Sequence, residues 1–157
     1  MRLSPVELGL LGLAVVVAAT ALPRCGSGGR AAVRASWALT PGVLNPAVTQ
    51  ATIASTICRR GWTRTVRPPV DFTNALKQRQ LRLYGLRGPP SAYQEDHLIS
   101  LELGGNPADP RNLWPEPYPR ASAVDQIEND LNQRVCTGSL TLAEAQRRES
   151  ALKHADG

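Results

Sequence analysis

One short segment of this sequence contains residue types that could carry out hydrolysis. The segment, QEDHLISLELGGNPADPRNLWPEPY at residues 94–118, includes His97, which is one of only 2 histidines and directly follows Asp96. A neutral imidazole, with an ordinary pKa of about 6.5, can take a proton from water near neutral pH. A carboxylate can hold a divalent cation. Gly104-Gly105 and Asn112 follow downstream, and a Gly-Gly pair between extended segments predicts a turn with unusual backbone angles.

The two reactive residues are neighbours, and this sets a condition on the backbone. Successive side chains of a strand point to opposite sides, so Asp96 and His97 face one substrate only if the strand twists or ends there. We expect a hairpin-like unit over residues 93–103, a returning strand at residues 112–114 and a helix over residues 121–136. The alternative is a structural pair, with the carboxylate on a backbone N–H and the imidazole satisfied near the core.

In its order of residues the segment resembles the HNH family of ββα-metal nucleases. In that family an acidic residue and a His are followed by an apolar stretch, a Gly-Gly turn and an Asn-Leu pair, and here these are Asp96, His97, Gly104-Gly105 and Asn112-Leu113. The resemblance covers residues 93–136. The wider pattern is similar to a group of small exported bacterial proteins of uncharacterised function.

The resemblance implies a metal-dependent endonuclease that hydrolyses phosphodiester bonds. His97 would be the general base that activates water, and Asp96 would bind a divalent metal ion, for which Mg²⁺ is the expected choice. Asn112 would hold the loop and orient the imidazole. A cation is needed in such a reaction because negative charge develops at the phosphate and on the leaving oxygen.

The sequence departs from the family at the third metal ligand. The family has a His or Asn on the helix after Asn-Leu, whereas residues 120–122 of this chain are Arg-Ala-Ser. Asp125 and Glu128 are three residues apart on the following helix, hence on one face, and Asn129 lies one turn beyond Asp125. Any of them could supply an oxygen ligand. The alternative is that all three are ordinary solvent-facing helix residues.

Charge is distributed unevenly along the chain. Residues 22–87 carry 11 basic residues and 1 acid, whereas residues 88–157 carry 11 acids and 6 basic residues. A cationic half suits a polyanion, and we expect it to bind nucleic acid, with DNA favoured, through the phosphate backbone. The alternative is that the arginines serve solubility. No specific protein partner is implied. The predicted nucleic-acid-binding residues are Arg59, Arg60, Arg64, Arg67, Lys77, Arg79 and Arg82.

The first residues predict export from the cytoplasm. An early positive charge, an apolar run and a small-x-small pattern at residues 19–21 are typical of a secretory signal peptide over residues 1–21. A retained membrane anchor is the alternative, and only then would a membrane be a partner. Both interpretations place the domain outside the cytoplasm, as a secreted, periplasmic or cell-envelope protein.

An oxidising compartment favours disulfides, and 3 cysteines allow three pairings. Cys58 and Cys136 each end an apolar helical run, whereas Cys25 lies in a Gly/Ser/Arg-rich stretch with nothing to hold it. We therefore predict a Cys58–Cys136 disulfide. On the chain-entropy model, a bridge across so long a loop contributes roughly 4 kcal/mol.

Hydrophobic spacing predicts a mainly helical α+β fold with a ββα-metal-like core, which is a short β-hairpin plus a helix. After a flexible lead-in at residues 22–44, we expect one HNH-like domain over residues 45–157. Turn and capping signals delimit its further elements. These are a helix from residue 46 to about Cys58, a short extended segment up to Pro68-Pro69, a helix over residues 74–84 and a last helix opening after Thr141.

An exported metal-dependent endonuclease is the leading functional hypothesis. A non-catalytic secreted module that binds nucleic acid or another polyanion with a degenerate nuclease site is the second, because Arg120 near the ligand position would compete with Mg²⁺ and attract phosphate. A cell-envelope structural protein is the third.

Overall fold

The structure is a computed structural model in which residues 33–155 are described. The predicted signal peptide and the first part of the lead-in lie outside this range. Within it the chain is α+β, as predicted. Its helices are α1 (Trp62–Val66), α2 (Val70–Leu83), α3 (Arg120–Cys136) and α4 (Leu142–Ala155), and its strands are β1 (Tyr93–His97) and β2 (Leu113–Pro117).

The two strands form an antiparallel hairpin. The register pairs Asp96 with Trp114 and His97 with Leu113. β1 ends at His97, and the chain then bends away through a 3-10 turn at Leu101–Leu103. β1 therefore ends at the Asp96-His97 pair, as it must if both side chains are to face one substrate. The α3 helix follows β2 directly, so the order is strand, loop, strand, helix, as expected.

The main hydrophobic core lies between α3, α4 and the loop after β1. It contains Ile99, Leu103, Leu131, Val135 and Leu142, all buried. The Cys58–Cys136 disulfide borders this core and joins segments separated by 78 residues, with the Cα atoms 5.5 Å apart. The predicted pairing is confirmed.

Residues 33–44, expected to belong to a flexible lead-in, pack against the domain instead. Ala35 is buried, and its N–H donates to the carbonyl of Lys153. Thr40 is also buried and donates to the carbonyl of Leu113. The ring of Trp37 stacks on His154 in α4. The sequence prediction missed this segment because its contacts are made by single residues without periodicity.

Two predicted elements upstream of α2 are wrong. Residues 46–58 form turns with one 3-10 segment at Ile53–Ser55, where a continuous helix was expected. The hydroxyl of Thr52 donates to the carbonyl of Ala47 and accepts from the N–H of Thr49, and such side-chain bonds compete with the helical ladder. Residues 62–66, expected to be extended, form the short helix α1 after Gly61.

The other helices match the predictions closely. α2 begins at Val70, four residues before the predicted start, directly after Pro68-Pro69. In α3 the spacing of Val124, Ile127, Leu131 and Val135 predicts one inward face, and all are buried except Ile127, which is 38% exposed. Glu128 is buried beside them. The side chain of Thr141 accepts from the N–H of Glu144 as α4 opens. No helix in residues 33–155 is long and apolar enough to cross a membrane.

Candidate functional site

The loop between the strands is held by one buried side chain, Asn112. Its Oδ1 accepts from the N–H of Ile99 at 3.0 Å, and its Nδ2 donates to the carbonyls of Ile99 and Asn106, each at 3.0 Å. A Cβ on Gly105 would collide with the Ile99 carbonyl and with Asn112 Nδ2. Asn112 and Gly105 together fix the path of the loop. These contacts fit the first part of the role predicted for Asn112, which was to hold the loop.

His97 is buried at the end of β1. Its Nε2 lies 3.0 Å from the carbonyl oxygen of Pro107, a residue of the same loop. Because a carbonyl only accepts, Nε2 must carry the proton and Nδ1 is left as the nitrogen that can accept one. The loop that Asn112 holds therefore also holds the imidazole. Burial lowers the pKa of His97, and the charges of Arg67 and Lys153 lower it further, against the Pro107 hydrogen bond and Asp96.

Behind this histidine, α4 places the ammonium group of Lys153 among buried acids. Nζ donates to Asp96 Oδ2 at 2.8 Å, to Glu128 Oε1 at 2.6 Å and to the carbonyl of His97 at 2.5 Å. Glu149 Oε1 is 3.5 Å away. Lys153 is fully buried, and its three hydrogen bonds use all three ammonium protons.

We call Lys153, Asp96, Glu116, Glu128 and Glu149 the Lys153 cluster. Burial opposes ionisation of Asp96, but the nearby Lys153 ammonium lowers its pKa to about 2. Burial and the neighbouring Asp96 carboxylate raise the pKa of Glu116 to about 8. At neutral pH Glu116 is therefore mostly protonated beside the ionised Asp96.

The other two acids of the cluster also hold protons more tightly than usual. Burial raises the pKa of Glu128 well above its ordinary value despite Lys153, and the charges of Asp96 and Glu149 add to the effect. Burial also raises the pKa of Glu149, whose Oε1 accepts from the N–H of Ser100 at 2.9 Å. One buried ammonium thus stands among four acidic side chains, not all of which are ionised together.

A polar cleft of about 330 Å³ opens beside His97 and the cluster. The hairpin contributes Gln94, Asp96 and His97, and α3 contributes its acidic and amide face. Of the residues predicted to be catalytic or to bind a metal ion, all except Asn112 line this one cleft. Its lining residues are Arg67, Gln94, Asp96, His97, Ser100, Leu101, Glu102, Asp125, Glu128 and Asn129.

The acids of this cleft do not form a divalent-metal site in this arrangement. Asp96 Oδ2 and Glu128 Oε1, the two buried candidate oxygens, both contact the Lys153 ammonium, which would repel a second cation at that position. Asp125 and Asn129 are exposed on the same face of α3. Within residues 33–155, no group of three or more His, Cys, Asp or Glu side chains is placed to hold a metal ion.

The seven basic residues predicted to bind nucleic acid divide into two groups. Arg67 lines the His97 cleft, and Arg59 and Arg60 line a second cleft next to it. The guanidinium of Arg64 lies against Gly61 in the wall of that second cleft. The remaining three lie on α2 and line neither cleft; they are Lys77, Arg79 and Arg82.

Sequence reasoning missed Lys153, Glu149 and Glu116. The available signal was the inward stripe of α4, which begins with Leu142 and Ala145 and continues at helical spacing into Glu149 and Lys153. Charged residues at core positions of a stripe are almost never fully buried unless they are paired. Glu149 and Lys153 can pair with each other at i,i+4, however, so this spacing alone does not tell whether they are buried.

Comparison with known proteins adds no family assignment. No protein-family model, no curated protein and no solved structure matches this chain.

Proposed function

We propose that this protein is an endonuclease-like hydrolase that cleaves phosphodiester bonds of nucleic acid in the His97 cleft, with DNA as the favoured substrate. The observation that carries the proposal is the gathering of His97, Asp96, Asp125, Glu128 and Asn129 in one polar cleft. The resemblance of the 93–136 segment to the HNH family supports the same activity.

His97 has the surroundings that a general base needs. Its Nε2 is engaged by the Pro107 carbonyl, so Nδ1 is the atom that would take the proton from an attacking water. The lowered pKa keeps the ring neutral, and hence able to accept a proton, at neutral pH. Asn112 is a positioning residue: it fixes the loop that carries Pro107 and would not touch the substrate itself.

Arg67 is the cleft residue suited to the scissile phosphate. Its side chain is exposed and lines the same cleft as His97. A guanidinium matches the geometry of phosphate oxygens and stays charged at all relevant pH values. The acids of the cleft would repel phosphate, so this charge is needed for binding. Mg²⁺ dependence stays a prediction, and no step above is assigned to a metal ion.

The test is a nicking assay with the purified protein, its Cys58–Cys136 disulfide intact, on plasmid DNA and on a labelled oligonucleotide. Each substrate is incubated with Mg²⁺, with Mn²⁺, with Ca²⁺ and with chelator. We expect His97→Ala to lose at least about a hundredfold in rate, the usual contribution of a positioned base. Added imidazole should restore part of that rate. His154→Gln, a change at the other histidine outside both clefts, should leave it unchanged.

Cleavage that is equal in wild type and His97→Ala would overturn the proposed role of this residue. Absence of cleavage by wild type under every metal condition would overturn the hydrolase itself. The second candidate, a non-catalytic nucleic-acid-binding module, would then take its place. The contacts of Lys153 with Asp96 and Glu128 favour that candidate, because the ammonium already neutralises two of the oxygens predicted to bind a metal ion.

A further inference from the structure

A second cleft, of about 420 Å³, adjoins the His97 cleft. Glu102 lines both clefts, so they meet at this residue. One wall of the second cleft is the segment of residues 57–63, and the other is the C-terminal half of α3, including Asn132 and Gln133. Nδ2 of Asn132 donates to the Glu102 carbonyl at 2.7 Å and so ties the shared edge to the helix.

Four arginines follow this pair of clefts. Arg59 and Arg60 line the second cleft, Arg64 lies against Gly61 in its wall, and Arg67 lines the first. None of the four forms a salt bridge with an acid of residues 33–155. Guanidinium groups without such partners on the rim of a cleft are suited to bind an anion from outside.

The second cleft also has an aromatic wall. Trp62 is half-buried, packs against the hydrophobic core and lines the cleft with its remaining surface. A ring fixed by core packing loses little side-chain entropy when a ligand contacts it. Stacking of a base on such a side chain strengthens binding roughly tenfold in proteins that bind single strands.

We propose that the second cleft binds one nucleotide of a single nucleic-acid strand whose neighbouring phosphodiester bond lies at His97. Arg59 and Arg60 would contact the phosphates, and Trp62 would stack on the base. The inference rests on the proposed function, because that function supplies the strand. Glu102 would repel a phosphate placed directly over it, so the two phosphates would lie on either side of this residue.

A single strand follows from the position of the aromatic ring. In a duplex the bases are paired and stacked on one another, so their faces are not available to a side chain in a cleft wall. A strand with unpaired bases can place one base against Trp62. The substrate class is thus single-stranded nucleic acid, or a duplex region opened before it binds.

The test is fluorescence anisotropy with a labelled oligothymidylate and a duplex of the same length, titrated with the full-length protein over a range of salt concentrations. We expect Arg59→Gln/Arg60→Gln to reduce the slope of log K against log salt by about 1.4, because two phosphate contacts are lost. Trp62→Leu should bind roughly tenfold more weakly, and Trp62→Phe, which keeps a ring, should bind nearly as wild type.

Arg34→Gln/Arg87→Gln is the matched control, since it removes the same charge from two exposed arginines outside both clefts. It should leave affinity and slope close to wild type. An equal loss of affinity in both double variants would show that the arginines act only through general electrostatic attraction, and it would overturn the subsite. Equal binding of duplex and single strand, or unchanged binding by Trp62→Leu, would overturn it as well. Thermal melting of each variant identifies any loss that comes from unfolding.

Binding and cleavage are separated by running the recovered probe on a gel. A probe that is bound through Arg59, Arg60 and Trp62 and is recovered intact after incubation with Mg²⁺, with Mn²⁺ and with Ca²⁺ would leave the subsite standing and refute the hydrolase. A cleaved probe whose affinity is the same in wild type and in all three cleft variants would keep the hydrolase and refute the subsite.

Discussion

Lys153 connects the end of α4 to the hairpin that carries the motif. Its ammonium reaches Asp96, the carbonyl of His97 and Glu128, which belong to β1 and α3. A buried ammonium is tolerated only when charge and hydrogen bonds compensate its lost hydration. The side chain therefore acts as an internal cation that holds three elements against one another.

Lys153→Met is expected to destabilise the protein by about 3–5 kcal/mol, since it leaves buried carboxyl groups without their cation. Urea unfolding at neutral pH measures the change. Lys77→Met is the matched control, because Lys77 makes a single hydrogen bond to the Tyr93 carbonyl at 3.1 Å. Its loss should cost only about 1 kcal/mol. Equal losses in the two variants would contradict a special role for Lys153.

At the scale of residues, the sequence showed half of this site. Asp96 and His97 stood out because they are adjacent and precede a Gly-Gly turn. Lys153 contacts Asp96 across 57 positions of the chain, and a lysine in an amphipathic helix has the same appearance in sequence whether it is buried or exposed. Only the packing of α4 against the hairpin distinguishes the two cases.

At the scale of elements, the loop between β1 and β2 requires glycine at position 105, because there is no space for a side chain there. Gly105→Ala should cost about 3 kcal/mol or more, because the new methyl group meets the Ile99 carbonyl and Asn112 Nδ2. In Gly85→Ala the added Cβ finds nothing within 4 Å, and strain arises only from a φ of 62°. We expect about 1 kcal/mol there. Urea unfolding of both variants checks the difference, and similar values would contradict it.

The elements that sequence reasoning predicted are those with a strong local signal. α3 has apolar residues at helical spacing, and the hairpin has a glycine turn between two extended runs. The segment of residues 46–58 has apolar residues near one face too, yet Thr52 and Asn45 bond to nearby backbone groups. These short-range hydrogen bonds and the disulfide at Cys58 favour turns over a continuous helix in this segment. Neither can be inferred from the spacing of apolar residues.

At the scale of the whole molecule, some acidic residues from the second half of the sequence are buried and others are exposed. Glu116, Glu128 and Glu149 are buried around one lysine. A glutamate with a raised pKa in the folded state binds its proton more tightly than the unfolded chain does. The stability that it contributes is complete below its unfolded pKa and is lost as pH rises through its folded pKa.

Glu116→Gln should therefore gain stability relative to wild type as pH rises from about 4.5 to about 8, the ordinary and folded pKa values of Glu116. The gain should grow by at most about 1.4 kcal/mol per pH unit. Glutamine keeps the size of the side chain and removes the titrating proton. Asp130→Asn, at an exposed acid of α3, removes the same charge and should show no such trend. Urea unfolding over this pH range measures both, and parallel curves for wild type and Glu116→Gln would refute the expectation.

Asp96 acts in the opposite direction. Its folded pKa of about 2 lies below the ordinary 3.8, so its contribution is present above the ordinary value and is lost as pH falls towards 2. The two dependences together favour the folded state most in mildly acidic solution. The charge asymmetry of the sequence pointed to a cationic surface, but it gave no sign of these buried acids.

The Cys58–Cys136 disulfide joins the segment that carries Arg59 and Arg60 to the end of α3, and so it closes the wall of the second cleft. In a reducing cytoplasm the two thiols would stay reduced, and the segment that carries the arginines would lose its covalent link to α3. A newly made protein without the disulfide would then bind the nucleic acid of the producing cell weakly. If the protein is exported, as its first residues predict, and acts as proposed above, oxidation after export would protect the producing cell from its own protein.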